Sequence, residues 1–232
     1  MNSLPIKGIQ KTSLVDYPGK VACTIFLGGC NFRCPYCQNR DLVLNFEKMP
    51  TIKEEEVLDF LKEKKKWLDG VCVGGGEPLL YDITDFIKKI KEIGLLVKID
   101  TNGTNPDLLK KLIDNKLVDY VAMDIKAPLE RYDNVARVNV DKEKIKKSVE
   151  ILKEGKVDYE FRTTVLPDFF TNEDAVKIGK WLKGSKLYAL QQFRPMNTLD
   201  KYYEKKKPYP KEKFDEFKKI LEKYVSKVEV RV

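Results

Sequence analysis

The segment "VACTIFLGGCNFRCPYCQNR", residues 21–40, decides how the chain is read. It opens with "VACTIFL" (21–27), a short apolar run closed by a glycine pair, as expected of a buried strand. The loop that follows carries Cys30, Cys34 and Cys37 in the spacing C-x3-C-x2-C, in a chain of 232 residues without a single histidine. Structural zinc normally closes its tetrahedron with four Cys or His ligands. A fourth ligand would have to be Cys23, Cys72 or a carboxylate, and both cysteines fall inside apolar runs, where a thiol behaves as a small apolar group. Soft thiolates without histidine favour iron and sulfur, and a four-iron cluster on three cysteines leaves one iron open to a ligand.

From this segment onward, apolar runs alternate with amphipathic stretches, the rhythm of parallel strands joined by crossover helices. The further strands expected are "GVCVGG" (70–75), "LLVKID" (95–100), "DYVAMDI" (119–125), "DYEFRTTV" (158–165) and "LYALQQF" (187–193). Six such strands predict an α/β fold, a partial (β/α)6 TIM-like barrel of parallel strands, in a single domain over residues 1–232. Helix starts are signalled by Thr51 with Glu54, by Asn105 before Pro106, and by Thr171 with Asp174. Near the C-terminus Phe214, Phe217, Leu221 and Tyr224 fall at helical spacing and read as a core stripe. Two long connections, 38–50 and 194–210, follow strands and are expected to reach the active face.

Composition narrows the function classes. Lys and Arg number 44 against 36 Asp and Glu, but the charges interleave, as in "KEEEVLDFLKEKKKW", and describe solvated helix faces more than a nucleic-acid stripe. The opening "MNSLPIKGIQ" has no apolar run suited to secretion, and no window reaches the length of a membrane span. A cytoplasmic protein without nucleic-acid or membrane partners is expected. In a reducing compartment its five cysteines serve as ligands or reactive thiols more readily than as disulfides.

Chemistry-bearing residues recur at successive strand ends. "GGGEP" (74–78) ends the second expected strand, "IDTNGT" the third and "MDIKAP" the fourth. Asp124 and Lys126 lie two apart on an extended segment and share a face. Asp100 and Thr101 bring oxygen ligands to the same rim, and Arg162 is a charge within an apolar strand that needs a partner such as a carboxylate.

With these motifs the chain resembles the radical S-adenosylmethionine superfamily, in which C-x3-C-x-aromatic-C holds a [4Fe-4S] cluster; the aromatic here is Tyr36. Within it, the opening "KTSLVDYPGKVACTIFLGGCNFRCPYCQNRDL" and the D-I-K of 124–126 are similar to activating enzymes of glycyl radical enzymes, those of anaerobic ribonucleotide reductase and pyruvate formate-lyase among them. The resemblance implies that Cys30, Cys34 and Cys37 bind the cluster and that Tyr36 and Gln38 flank the adenosyl group of S-adenosyl-L-methionine. It assigns Gly75, Gly76 and Glu77 to the methionyl amine, Asp124, Lys126 and Arg162 to the rest of the cofactor site, and a monovalent cation to Asp100, Thr101 and Asp124. The implied reaction is reductive cleavage of S-adenosylmethionine to a 5′-deoxyadenosyl radical that takes a hydrogen from a glycine of a partner enzyme. A flavodoxin- or ferredoxin-type protein would donate the electron. No side chain is needed as acid or base, so no catalytic residue is assigned. The pyruvate formate-lyase activator carries a cofactor-contacting histidine at the end of its sixth strand; here that region reads "LQQFRP", and Gln192 or Arg194 is expected to take its place. Two other readings stand beside this one: a radical enzyme acting on a small molecule or peptide, and a non-catalytic zinc-binding interaction protein.

Overall fold

The computed structural model describes residues 3–232. It contains one eight-stranded sheet in sequential order, β1 (Ile6–Ser13), β2 (Ala22–Leu27), β3 (Gly70–Gly75), β4 (Leu96–Thr101), β5 (Tyr120–Asp124), β6 (Asp158–Val165), β7 (Leu187–Gln192) and β8 (Lys227–Arg231). Strands β2 to β8 run parallel, and β1 alone is antiparallel, paired to β2. The six expected strands are β2 to β7. Helices α1 (Arg40–Leu44), α2 (Glu54–Lys64), α3 (Thr84–Ile93), α4 (Pro106–Asp114), α5 (Tyr132–Ala136), α6 (Lys142–Lys153), α7 (Asn172–Trp181) and α8 (Lys211–Leu221) lie in the crossovers. Among the described residues no helix is long and apolar enough to cross a membrane.

The period of two along each strand sorts the layers. Ile25 and Leu27, Val71 and Val73, Val97 and Ile99, Val121 and Met123 are fully buried and join one core cluster with helix residues such as Leu61, Ile87 and Leu109. Alternate positions carry the polar groups that face inward. Phe214, Phe217 and Leu221 of α8 are buried as expected, each stabilising the fold by about 1.5–3 kcal/mol. Tyr224 lies just beyond the helix and covers Gly179 of α7, where a Cβ would stand 2.4 Å from its ring.

Two of the three helix starts form as read. Asn105 caps α4 by accepting from Leu108 N, and Thr171 with Asp174 closes a reciprocal box on α7. The third does not: α2 begins at Glu54 with Lys53 as its cap residue, so Thr51 stands too far out to reach it. Lys7 of β1 takes the Thr51 hydroxyl instead at 2.7 Å, and Glu54 accepts from Leu4 N.

Candidate active site

Strands β2 to β7 direct their carboxyl ends to one rim, and the loops leaving them enclose a cavity of about 380 Å³. Thr24, Gly74, Asp100, Asp124, Arg162 and Gln191 reach it from six successive strands, the inward half of each alternation.

Cys30, Cys34 and Cys37 line the cavity as free thiols. Their loop is shaped by its own backbone: Cys37 N donates to Cys34 O at 3.1 Å, and Arg33 Nη1 gathers the carbonyls of Cys30 and Phe32 at 2.6 and 2.8 Å. Phe32 N points at Cys30 Sγ, 3.4 Å away. Burial pushes the Cys30 thiol up to about 12 and the Cys34 thiol to about 11, and raises Cys37 as well. A bound metal takes the place of such protons and holds the thiolate form outright.

The "GGGEP" loop interlocks with this loop through backbone. Gly76 N donates to Leu27 O and Glu77 N to Gly29 O, both at 2.8 Å, and a Cβ on Gly76 would stand 1.8 Å from the Gly29 carbonyl oxygen. Gly75 has φ +107°, a conformation that excludes most side chains. Glu77 is buried and accepts from Leu79 N, Thr101 Oγ1 and Asn102 N at 3.1, 2.7 and 2.6 Å. Burial outweighs these three donors and lifts its carboxyl from 4.5 to about 7.

Facing the thiols is a chain of alternating charges. Lys98 Nζ donates to Asp100 Oδ1, Arg162 Nη1 reaches Asp100 Oδ2 at 3.1 Å, Arg162 Nε donates to Asp124 Oδ1, and Lys126 Nζ donates to Asp124 Oδ2 at 2.9 Å. Burial works to raise both carboxyls, but Arg162 with Lys98 or Lys126 outweighs it and holds each below the usual range. Burial likewise works against the Lys126 and Arg162 charges, and the carboxylates restore them.

The remaining wall is aromatic. The buried Tyr36 ring lies 5.6 Å from Phe169, which in turn stacks on Tyr203. The second long connection braces the cysteine loop here: Leu199 N and Asp200 N donate to Cys37 O and Pro35 O, both at 2.9 Å, and Gln38 Nε2 donates to Arg194 O at 3.1 Å.

Every residue expected to bind the cluster, S-adenosylmethionine or a cation lines this one cavity. The proposed histidine replacements do not. Gln192 turns away to Tyr209 O and Arg194 is exposed, whereas the neighbours Gln191 and Phe193 line the wall. Alternation on β7 is the reason, since only every second side chain faces in. Asn39, which donates to Gly75 O at 2.6 Å, and Asn102, which donates to Asn31 Oδ1 at 2.8 Å, escaped the sequence reading; lone loop amides announce no long-range partner. Lys98 escaped it too, although a charge within "LLVKID" is the same signal as Arg162 in β6.

Among the described residues no three Cys, Asp or Glu side chains converge on a single ion. Three free thiols around a roomy cavity fit a larger iron–sulfur group. The sequence profile of the Radical SAM superfamily matches residues 24–182. The chain belongs to the radical SAM superfamily. It is therefore an enzyme, and its cofactors are a four-iron cluster and S-adenosylmethionine. Along nearly its whole length this radical SAM chain is similar to the protein of Methanocaldococcus jannaschii named "putative glycyl-radical enzyme activating enzyme", with 39% identity over 97% of this chain and 95% of the other. Similarity to the pyruvate formate-lyase 1-activating enzyme of Escherichia coli K12 is 25% over 96% and 97% of the two chains. The radical SAM fold is shared with Streptococcus suis SuiB bound to S-adenosylmethionine, at a TM-score of 0.67 and 14% identity over 87% of this chain and 47% of that one. It is shared also with a domain of a pyruvate-formate lyase-activating enzyme from Bacteroides vulgatus, at 0.54 and 18% over 70% and 99%.

Proposed function

We propose that this chain activates a glycyl radical enzyme, generating the radical on a glycine Cα of that partner protein. The observation that carries the reading is the joint one: cysteine loop, glycine loop and charge chain line a single cavity, in a chain whose likeness to an activating enzyme spans 97% of its length.

In this reading Cys30, Cys34 and Cys37 would hold the cluster, and with no fourth thiol in their loop one iron would be open to S-adenosylmethionine. When bound, the two cofactors supply one-electron cleavage of a carbon–sulfur bond and a radical able to take hydrogen from glycine. The protein's own contribution is positioning and exclusion of water. Glu77 and the Gly75 and Gly76 backbone stand where the hydrogens of the methionyl amino group would be received. Asp124, Lys126 and Arg162 complete the site. The chain from Lys98 to Lys126 sets three cations against two carboxylates, a surplus suited to the methionyl carboxylate. Tyr36 and Gln38 flank the adenosyl group, held by Phe169 and the 194–200 connection. Phe32, Val43, Phe193 and Leu199 give the cavity apolar walls that keep water from a reactive carbon. A ferredoxin- or flavodoxin-type donor supplies the electron.

The test is an anaerobic mixture of reduced protein, S-adenosylmethionine and candidate glycyl radical enzymes, read by electron paramagnetic resonance. A glycyl doublet on the partner is expected. Steady 5′-deoxyadenosine formation with a small metabolite, and no doublet with any partner protein, would overturn the assignment.

A further inference from the structure

The resemblance to activating enzymes carries with it a monovalent cation beside Asp100, Thr101 and Asp124, and the side chains here do not fit one. Both Asp100 oxygens accept from cations, Oδ1 from Lys98 and Oδ2 from Arg162 at 3.1 Å. Both Asp124 oxygens do the same, Oδ1 from Arg162 and Oδ2 from Lys126 at 2.9 Å. Thr101 gives its hydroxyl proton to Glu77 at 2.7 Å while its oxygen accepts from Gly103 N at 3.1 Å. An added cation would stand against three fixed positive charges and would find no oxygen of Asp100 or Asp124 without a cationic donor.

We propose that the ammonium of Lys98 is this chain's built-in replacement for the monovalent cation, so that the cofactor site works without an external ion. Lys98 and Asp100 stand two apart on β4, both facing inward, which holds the ammonium under the carboxylate at a fixed register. Lys98 is buried, and besides Asp100 it reaches the Cys72 sulfur at 3.6 Å. A lysine so placed has no solvent in which to rest its charge, and it remains charged because the carboxylate above it is. Asp100 then presents Oδ2 to Arg162 in one orientation, and Arg162 carries that alignment to Asp124 on the next strand. Lys98 is thus a positioning residue that acts on the cofactor site through Asp100 and Arg162. The protein does with a tethered ammonium what a loosely held ion would do at the cost of ordering it from solution.

The inference rests on the cofactor site proposed above, and its test is read on the chain before cluster loading, so that its outcome is independent of the glycyl radical experiment. Thermal midpoints are measured in potassium chloride and in choline chloride at matched ionic strength, for the wild type, Lys98→Met and Lys98→Arg. The wild type and Lys98→Arg are expected to show the same midpoint in both salts. Lys98→Met is expected to lose several degrees in choline and to recover most of them in potassium, and thallium-205 resonance is expected to broaden with Lys98→Met alone. After cluster loading, S-adenosylmethionine affinity should follow the same pattern. A potassium-specific rise in the wild type overturns the proposal, as does a Lys98→Met defect of equal size in both salts, including failure to fold in either.

Discussion

The two ends of the same strands handle buried charge differently. At the amino end, residues 14–20 fold under the sheet, with Tyr17 buried and its ring 5.9 Å from Tyr120. Outside the cavity, buried charge is closed off in pairs: Arg231 grips both oxygens of the buried Glu160 at 2.8 and 2.6 Å, Tyr120 adds a hydroxyl at 3.1 Å, and Lys91 grips both oxygens of Asp119. At the carboxyl end the charge chain has one cation in excess, three thiols are free, and burial of Glu77 outweighs its donors. A satisfied pair fixes a fold, whereas unspent positive charge and free thiols favour a ligand. The strands serve stability at one end and chemistry at the other, the division expected of barrel rims.

The comparison breaks most sharply at the cysteines. Cys30→Ser, Cys34→Ser or Cys37→Ser is expected to abolish iron and sulfide binding, while Cys23→Ser and Cys72→Ser, in β2 and β3, retain it; metal analysis after anaerobic purification decides. Next is Gly76→Ala, whose new Cβ meets the Gly29 carbonyl oxygen at 1.8 Å, a backbone atom that cannot swing aside. A loss of more than about 3 kcal/mol in denaturant unfolding is expected, with S-adenosylmethionine binding lost alongside. Outside the cavity Glu160→Gln should cost about 3 kcal/mol, because Arg231 is left without its buried partner. There iron content and S-adenosylmethionine affinity of the folded fraction should be unchanged; a selective loss of cofactor would remove the distinction between the two ends.

The smallest effect is a titration. The folded chain without cofactor holds the Glu77 proton up to about pH 7, while the unfolded chain releases it near 4.5. The folded state therefore binds more protons across that interval, and this group's contribution to stability is present below it and lost as pH rises through it, on the order of 2–3 kcal/mol. Thr101, Asn102 and Leu79 donate to the carboxyl, and Asp124 adds a like charge that opposes ionisation. Glu77→Gln should flatten the dependence in chemical unfolding at stepped pH; an unchanged slope would place the titration elsewhere.

Much of this was legible in the sequence because parallel strands are buried on both faces and read as apolar runs. All six runs became β2 to β7, and the motifs at their ends met in one cavity. Strands β1 and β8 were not legible. "IKGIQKTS" and "KVEVR" lie at the two edges of the sheet and carry the polar and charged residues that edges tolerate, so neither reads as an apolar run. The sequence signal at Thr51 failed because α2 begins only at Glu54, and Lys7 of β1 takes the free hydroxyl. Side-chain parity was the other gap: Gln191 and Gln192 are alike as letters, and only the strand's register sends the first into the cavity.

If the three thiols of residues 30–37 hold a cluster with one iron open, as proposed, S-adenosylmethionine should perturb that cluster. Electron paramagnetic resonance of the anaerobically reduced protein, recorded before and after S-adenosylmethionine is added, tests it directly. A reduced-cluster signal whose shape changes with the cofactor is expected. A signal indifferent to S-adenosylmethionine, or protein that carries zinc and no iron, would contradict it.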